Sequence, residues 1–177
     1  AENFSEEEVA VITGGPDIGA IFIKVSLYNV FYTGSTNVGR LVMQAAARNL
    51  TPVTLELGGK SPVIVGEDCN IGKAIGSITG GKLLNAGQTC VAPDYVLAPR
   101  AQVDDFVAAF EDATRKLYPT LAANPDYTSI VNARHRGRLQ GYLADAKAKG
   151  ATLVEVNPAN DSFADAGNKM APVLVRN

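Results

Sequence analysis

A chain of 177 residues with 46% hydrophobic side chains can bury the core of one domain or of two small ones. Sixteen basic and eighteen acidic residues leave a net charge of −2, without a cluster of Lys or Arg that could follow a phosphate backbone, which argues against nucleic acid as a partner. The most apolar early stretch, residues 18–32, contains Lys24, Ser26 and Asn29 and is too short to cross a bilayer as a helix, so we expect no membrane association.

The first third of the chain predicts three strands separated by helical or turn segments. Alternating and β-branched runs indicate strands at Val9–Thr13, Asn29–Thr33 and Pro52–Leu57. Between the last two, apolar residues recur at helical spacing, at Val38, Leu41, Val42 and Ala45. The third strand stops at Gly58-Gly59, a pair that frees the backbone to turn, and we expect a domain joint there.

The remainder of the chain continues to alternate strands and helices, as βα units around a parallel sheet do. The predicted fold class is therefore α/β with parallel βα units. The predicted strands are residues 61–66, 94–99, 152–156 and 171–175, and the predicted helices run from Ile71 to about Asn85, from Val103 to Leu117 and from Asn132 to Lys149.

The segment "YTGSTNVG" lies between a predicted strand and a predicted helix. The N–H groups at a helix N-terminus attract phosphate, and Ser35 or Thr36 could cap the helix and bind a phosphate oxygen. The dinucleotide fingerprint G-x-G-x-x-G and the P-loop ending are both absent. Taken alone, the segment is better explained as a plain capped turn.

Glu56 is the last residue but one of the third predicted strand, and the two glycines follow that strand. Clefts open at the carboxyl ends of parallel strands, so a carboxylate there can serve as a base toward a substrate. A solvated surface glutamate is the competing interpretation.

Cys90 follows a helical run and precedes a strand, within "NAGQTC". Small and amide neighbours can leave a thiol accessible, which thiolate chemistry requires, although free cysteines are commonly inert core residues. Cys69, in "GEDCNIGKA", has no such setting and is interpreted as structural. Two cysteines in unrelated contexts, with no charged leader, favour a reducing cytoplasmic setting.

His135 is the single histidine, and it lies among arginines on a predicted helix. A thiol hydrolase would need it as the base for Cys90, but the sequence signatures of thiol proteases are absent around the cysteine. Paired sulfur or imidazole ligands at metal spacing are also absent, so we expect no metal site.

Two segments together, "FYTGSTNVGRLVMQAAARNLTPVTLELGGKSP" and "LLNAGQTCVAPDYVL", resemble the aldehyde dehydrogenase superfamily. Its glycine-serine-threonine turn, E-L-G-G-K-S-P and G-Q-x-C motifs occur in that order, and Cys90 follows Glu56 by 34 positions. "APDYVL" resembles the class 3 branch, and residues 118–151 resemble bacterial coniferyl aldehyde dehydrogenases. The likeness runs from about Phe4 to Asn157.

The resemblance implies a role for each matched residue. Cys90 would attack the aldehyde carbon to give a thiohemiacetal, hydride would pass to the nicotinamide ring, and the backbone N–H of Cys90 would help to bind the oxyanion. Glu56 would activate the water that releases the acid. NAD or NADP would contact a cofactor segment consisting of Gly34, Ser35, Thr36, Asn37, Val38, Gly39 and Leu57.

The resemblance also implies what surrounds these residues in the family. In the family, an asparagine and a lysine lie upstream of these motifs, and an E-E-I-F-G-P segment lies downstream of them. The upstream part does not precede Ala1 and the downstream segment does not occur before Asn177, so we expect an internal fragment that is inactive alone. Residues 1–57 would be the second half of an NAD(P)-binding domain and residues 58–177 the first part of a catalytic domain. The substrate would be a small-molecule aldehyde, for example an aromatic one such as coniferyl aldehyde, and the full-length protein would be a homodimer.

Two other hypotheses remain open at this point. A non-enzymatic α/β module would use its cysteine structurally, and a thiol hydrolase would use Cys90 with His135. Thiol labelling distinguishes the structural cysteine of the first hypothesis from the reactive cysteine of an enzyme. The His135→Ala substitution tests the second hypothesis, because only a thiol hydrolase would lose activity.

Overall fold

A computed structural model describes residues 3–176, which divide after Gly58 into two compact units. The division falls between Gly58 and Gly59, where the sequence predicts a joint. None of the helices in this described part is long and apolar enough to span a bilayer.

The first unit is a pair of parallel strands with a helix between them in sequence. It contains the short helix α1 (Pro16–Phe22), strand β1 (Val30–Gly34), helix α2 (Thr36–Ala47) and strand β2 (Val53–Leu57). Val30, Val42 and Ala46 are buried, because the apolar stripe of α2 packs on one face of the strand pair. Thr51 is buried as well, and its hydroxyl donates to the Leu27 carbonyl at 3.0 Å.

The strand predicted at Val9–Thr13 is wrong. These residues form no regular secondary structure, and Val11 and Ile12 are 82% and 63% exposed. In the described part of this unit only β1 and β2 pair, so the segment has no strand beside it to satisfy its backbone groups. The next residues form α1, which the sequence did not predict, although Pro16 in its first turn is a residue that favours a helix start.

The second unit packs helices against two further strand pairs. Its elements are β3 (Ser61–Ile64), α3 (Ile71–Leu83), a 3₁₀ turn (Leu84–Gly87), β4 (Pro93–Leu97), a 3₁₀ turn (Arg100–Gln102), α4 (Val103–Leu117), α5 (Ala133–Ala148), β5 (Thr152–Glu155) and β6 (Val173–Arg176). The core lies between α3 and α4 and includes Ile75, Leu83, Phe106, Phe110 and Val156. Burying each of these side chains contributes about 1.5–3 kcal/mol.

Strand direction agrees with the prediction in two pairs and departs from it in the third. β1 pairs with β2 and β3 with β4 in parallel, as βα units require. β5 pairs with β6 antiparallel. The connection 156–172 contains no helix, so the chain returns along the neighbouring strand without the crossover that a parallel pair needs.

Candidate active site

Cys90 lies in the turn that joins α3 to β4, in the second unit. Its side chain is exposed, and the turn is closed by a hydrogen bond from the Ala92 N–H to the Thr89 carbonyl at 3.2 Å. Within residues 3–176 the backbone N–H of Cys90 makes no hydrogen bond, so it is available to an oxygen that develops negative charge. The thiol and a free donor therefore belong to the same residue.

Three consecutive residues before the cysteine have left-handed backbone. Asn85, Ala86 and Gly87 have φ of 52°, 53° and 74°. Glycine and asparagine adopt this conformation readily, whereas alanine is destabilised there by about 1–2 kcal/mol. The rest of the turn must therefore hold Ala86 in place.

Gly87 also allows the end of α3 to approach the turn closely. A Cβ at this position would come within 3.1 Å of the Lys82 carbonyl oxygen and 3.3 Å of Lys82 Nζ. Burial lowers the pKa of Lys82 from its ordinary value of 10.5, and Lys60 acts in the same direction, while Asp94 opposes both. Asp94 also pairs with Lys60 at 3.1 Å. An ammonium group thus lies beside the turn that carries the thiol.

Glu56 is on the exposed face of the β1–β2 pair in the first unit. It is opposite Thr33 in the parallel register, and Thr54 shares its exposed face on β2. Leu57 lies opposite Gly34 and its side chain faces α2, because side chains alternate along a strand. Any contact of Leu57 with a cofactor would therefore use its backbone.

The cofactor segment forms the turn from β1 into α2. Ser35 caps the helix, with its hydroxyl accepting from the Val38 N–H at 3.4 Å. In the part of the chain that the structure describes, the N–H groups of Thr36 and Asn37 have no acceptor. Free N–H groups at the start of a twelve-residue helix are the usual donors to a phosphate.

Gly39 lets α2 lie close to the strands. It is buried, and a Cβ there would be 3.0 Å from Leu57 Cδ2 and 3.7 Å from Tyr32 Cε1. The first turn of α2 is thereby held at the carboxyl ends of β1 and β2, the edge of a parallel pair where phosphates bind. The residues present fit a dinucleotide pyrophosphate.

The structure thus brings the eight matched residues of the first unit to one strand edge and places Cys90 in the second unit. His135 is on α5, where its Nδ1 lies 3.4 Å from a guanidinium nitrogen of Arg138. Among residues 3–176, no group of three or more His, Cys, Asp or Glu side chains is arranged to hold a metal ion.

Residues 3–177 match the aldehyde dehydrogenase family. The chain belongs to this family.

Individual aldehyde dehydrogenases give the same result. The chain is 48% identical to a probable coniferyl aldehyde dehydrogenase of Caulobacter vibrioides over 99% of the chain and 36% of that protein. It is 42% identical to aldehyde dehydrogenase family 3 member A2 of Rattus norvegicus over 77% of the chain and 28% of that protein. The resemblance to the class 3 branch and to coniferyl aldehyde dehydrogenases is confirmed.

Solved aldehyde dehydrogenase structures share the fold. A substrate-bound AldH of Staphylococcus aureus superposes with a TM-score of 0.86 at 41% identity, over 98% of this chain and 37% of that one. An aldehyde dehydrogenase of Mycobacterium tuberculosis in complex with NAD+ gives 0.79 at 32% identity, over 92% and 34%. The chain therefore spans roughly a third of the length of the aldehyde dehydrogenases it matches.

Sequence reasoning gave no role to two residues that shape the cysteine turn, Lys82 and Gln88. Lys82 gave no signal in the sequence, because it approaches the turn only where Gly87 has no Cβ. The sequence identifies Gln88 only as a member of the G-Q-x-C motif, because its hydrogen-bond partners are distant in sequence.

Proposed function

We propose that this chain supplies the nucleophile, the hydrolytic base and part of the cofactor site of an NAD(P)-dependent aldehyde dehydrogenase. The observation that carries the proposal is the exposed Cys90 thiol with its unbonded N–H, at the G-Q-x-C motif of a family member. Residues 1–57 would be the second half of the NAD(P)-binding domain and residues 58–177 the first part of the catalytic domain.

The residues would act in sequence on one carbonyl. After the Cys90 thiol has lost its proton to solvent, Sγ forms a bond to the aldehyde carbon, and the carbonyl oxygen becomes an anion that accepts from the Cys90 N–H. Gly34–Gly39 and the backbone of Leu57 would hold NAD or NADP, which would supply the acceptor for the hydride that leaves that carbon, so that Cys90 would then carry a thioester. Glu56 then removes a proton from water, whose oxygen displaces the sulfur and releases the carboxylic acid.

The substrate would be an aromatic aldehyde of the coniferyl type, which is the substrate in the name of the Caulobacter vibrioides relative. We further propose a homodimer and a cytoplasmic setting for the full-length protein. The two free cysteines favour a reducing compartment.

The test is a chimera in which this chain replaces the matching segment of the Caulobacter vibrioides relative. We expect aldehyde-dependent reduction of NAD or NADP, complete loss of it in Cys90→Ala, and a decrease of about 10²–10⁴-fold in Glu56→Gln, the usual contribution of a general base. The unmodified chain, assayed alone, should be inactive.

His135→Ala is the matched control, because the thiol hydrolase hypothesis requires that histidine. The rate in the chimera should stay within about twofold of the parent, since a surface substitution away from the chemistry has little effect. Undiminished oxidation in Cys90→Ala, or its loss in His135→Ala, would contradict the proposal.

A further inference from the structure

Gln88 uses nearly all of its side-chain amide to hold the cysteine turn. Its Nε2 donates to the carbonyls of Asn85 and Ser129, both at 3.0 Å, and its Oε1 accepts from the Val131 N–H at 2.9 Å. Its own backbone carbonyl accepts from Asn85 Nδ2 at 3.3 Å. Both amide hydrogens and one oxygen lone pair are therefore used.

The contacts with Ser129 and Val131 have the pattern of a parallel strand pair. In such a pair, the N–H of one residue donates to the carbonyl of a partner residue, and the C=O of that same residue accepts from the N–H two residues further along the partner. The Gln88 side-chain amide does both, so it takes the place of the N–H and C=O of one strand residue beside residues 129–131. These residues are 41 and 43 positions away in sequence.

The segment that receives Gln88 is itself fixed. Tyr127 and Ile130 are 3% and 7% exposed. The Tyr127 hydroxyl donates to the Met170 carbonyl at 2.7 Å, and the Ile130 N–H donates to the Asn168 carbonyl at 3.2 Å. Gln88 therefore connects the turn to a part of the second unit that is anchored by buried side chains.

The turn requires such a connection. Ala86 is held in left-handed backbone that alanine disfavours, and Cys90 is exposed, so burial of its own side chain does not fix it. Gln88 lies between the two and bonds on both sides of the turn. No other described side chain joins residues 85–92 to residues 129–131 by a hydrogen bond.

We propose that Gln88 is a positioning residue that fixes the Cys90 thiol and N–H for attack on a carbonyl, because its side-chain amide takes the place of the backbone N–H and C=O of one strand residue beside residues 129–131. The inference rests on the proposed function for its chemical consequence. Its structural half, the fixing of the turn, stands on the contacts alone.

Two substitutions remove the amide in different ways. Gln88→Met has nearly the same length and no polar atom. Gln88→Glu has the same shape, but its carboxylate cannot donate and would face the carbonyl oxygens of Asn85 and Ser129. Gln102→Met is the matched control, because the Gln102 Nε2 donates to the Glu67 carbonyl at 2.8 Å elsewhere in the same unit.

The first measurement is amide hydrogen exchange on the 177-residue chain. Loss of a hydrogen bond that contributes about 1 kcal/mol speeds local opening about fivefold, and we therefore expect about fivefold faster exchange of the Val131 N–H in both Gln88 variants. Gln102→Met should leave it unchanged. Unprotected Val131 exchange in the parent chain, or equal exchange in parent and variants, would overturn the inference.

The second measurement separates positioning from general loosening. An aromatic aldehyde that forms a thiohemiacetal protects Cys90 from iodoacetamide, and we expect about tenfold weaker protection in Gln88→Met, while the alkylation rate without aldehyde stays within about threefold. Equal protection in parent and variant would contradict the positioning role. If Gln88→Met unfolds the chain, which a parallel rise in Cys69 alkylation would show, Gln88→Glu takes its place.

A third result distinguishes this inference from the proposed function. If aldehyde does not protect Cys90 in the parent chain, the proposed reaction of Cys90 with aldehydes is contradicted. Hydrogen exchange at Val131 then decides the role of Gln88 in fixing the turn by itself.

Discussion

The two cysteines lie beyond opposite ends of α3, and their surroundings differ in ways that set their reactivity. Cys69 is half-buried just before the helix, with its N–H bonded to the Gly66 carbonyl at 3.1 Å. Cys90 is exposed after the helix, and its N–H is unbonded within the described residues. Only the second thiol combines access with a free donor.

The comparison shows that the turn, more than the cysteine itself, makes the candidate nucleophile. At Cys69 the backbone groups are satisfied locally and Asn70 caps the helix that follows. Before Cys90, α3 is followed by residues with left-handed backbone. The turn is held by a hydrogen bond from the Gln88 side chain to a segment that is distant in sequence. A thiol kept accessible in this way depends on long-range contacts for its position.

The largest expected effect is the difference in alkylation between the two thiols. Under native conditions near neutral pH, we expect Cys90 to react with iodoacetamide at least about tenfold faster than Cys69, because an accessible thiol is attacked more readily than one partly shielded by its neighbours. Mass spectrometry of the two tryptic peptides measures the ratio. Equal rates in the folded chain would remove the distinction on which the assignment of Cys90 depends.

The second expected effect is a loss of stability when the N-cap residue of either of two helices is replaced. One cap adjoins Cys69, and the other follows the segment that Gln88 contacts. Asn70 accepts from the Lys73 N–H at 3.1 Å, and Asn132 accepts from the His135 N–H at 3.0 Å. Either Asn→Ala substitution should lower the free energy of unfolding by about 1 kcal/mol, measured by urea denaturation.

The two cap variants should differ in which thiol they affect. Asn70→Ala should speed the alkylation of Cys69, which precedes that cap, and leave Cys90 unchanged. Asn132→Ala should weaken aldehyde protection at Cys90, because Asn132 follows the segment that Gln88 contacts. The same thiol responding to both variants would contradict a local origin for the difference.

The smallest effect is an acid-dependent loosening of the loop before α5. Asp161 accepts from the N–H groups of Leu121, at 2.5 Å, and Ala122, at 3.0 Å, and these bonds lower its pKa below the ordinary 3.8. A carboxyl group whose pKa is lowered in the folded state stabilises the protein fully at pH values above its pKa in the unfolded chain. This stabilisation is lost as the pH falls through the pKa of the folded state.

The matching measurement is thermal unfolding followed below pH 4. We expect the parent chain to lose the Asp161 contribution in that range, whereas Asp161→Asn should already lack it at neutral pH and fall less steeply. A variant with the same acid dependence as the parent would show that the carboxylate does not hold the loop.

Much of the fold could be predicted because strong periodicity fixes element type. The apolar stripe of α4 and the runs of β1 and β2 gave elements within a residue or two of those observed. The segment Val9–Thr13 shows the limit: alternation indicates what a strand could bury but not whether another strand is beside it. The antiparallel direction of β6 was missed for a similar reason, since direction depends on the connection.

The candidate site was predictable where motifs are contiguous. Cys90 lies between a helix and a strand as the sequence predicts, and Ser35 caps α2. The roles of Gln88 and Lys82 could not be predicted, because they depend on the backbone at 129–131 and on the room left by Gly87. Ala86 in left-handed backbone runs against its own preference and is visible only in three dimensions.

The alternation of β2 constrains how this gene segment can change over time. Glu56 shares the open face of the strand with Thr54, while Val53, Leu55 and Leu57 are directed toward α2. Losing or gaining a single codon within the strand would exchange the two faces, turning the carboxylate toward the helix and a leucine outward. A chain that keeps the Glu56 carboxylate on the open face can therefore replace other residues in β2 but cannot alter its length.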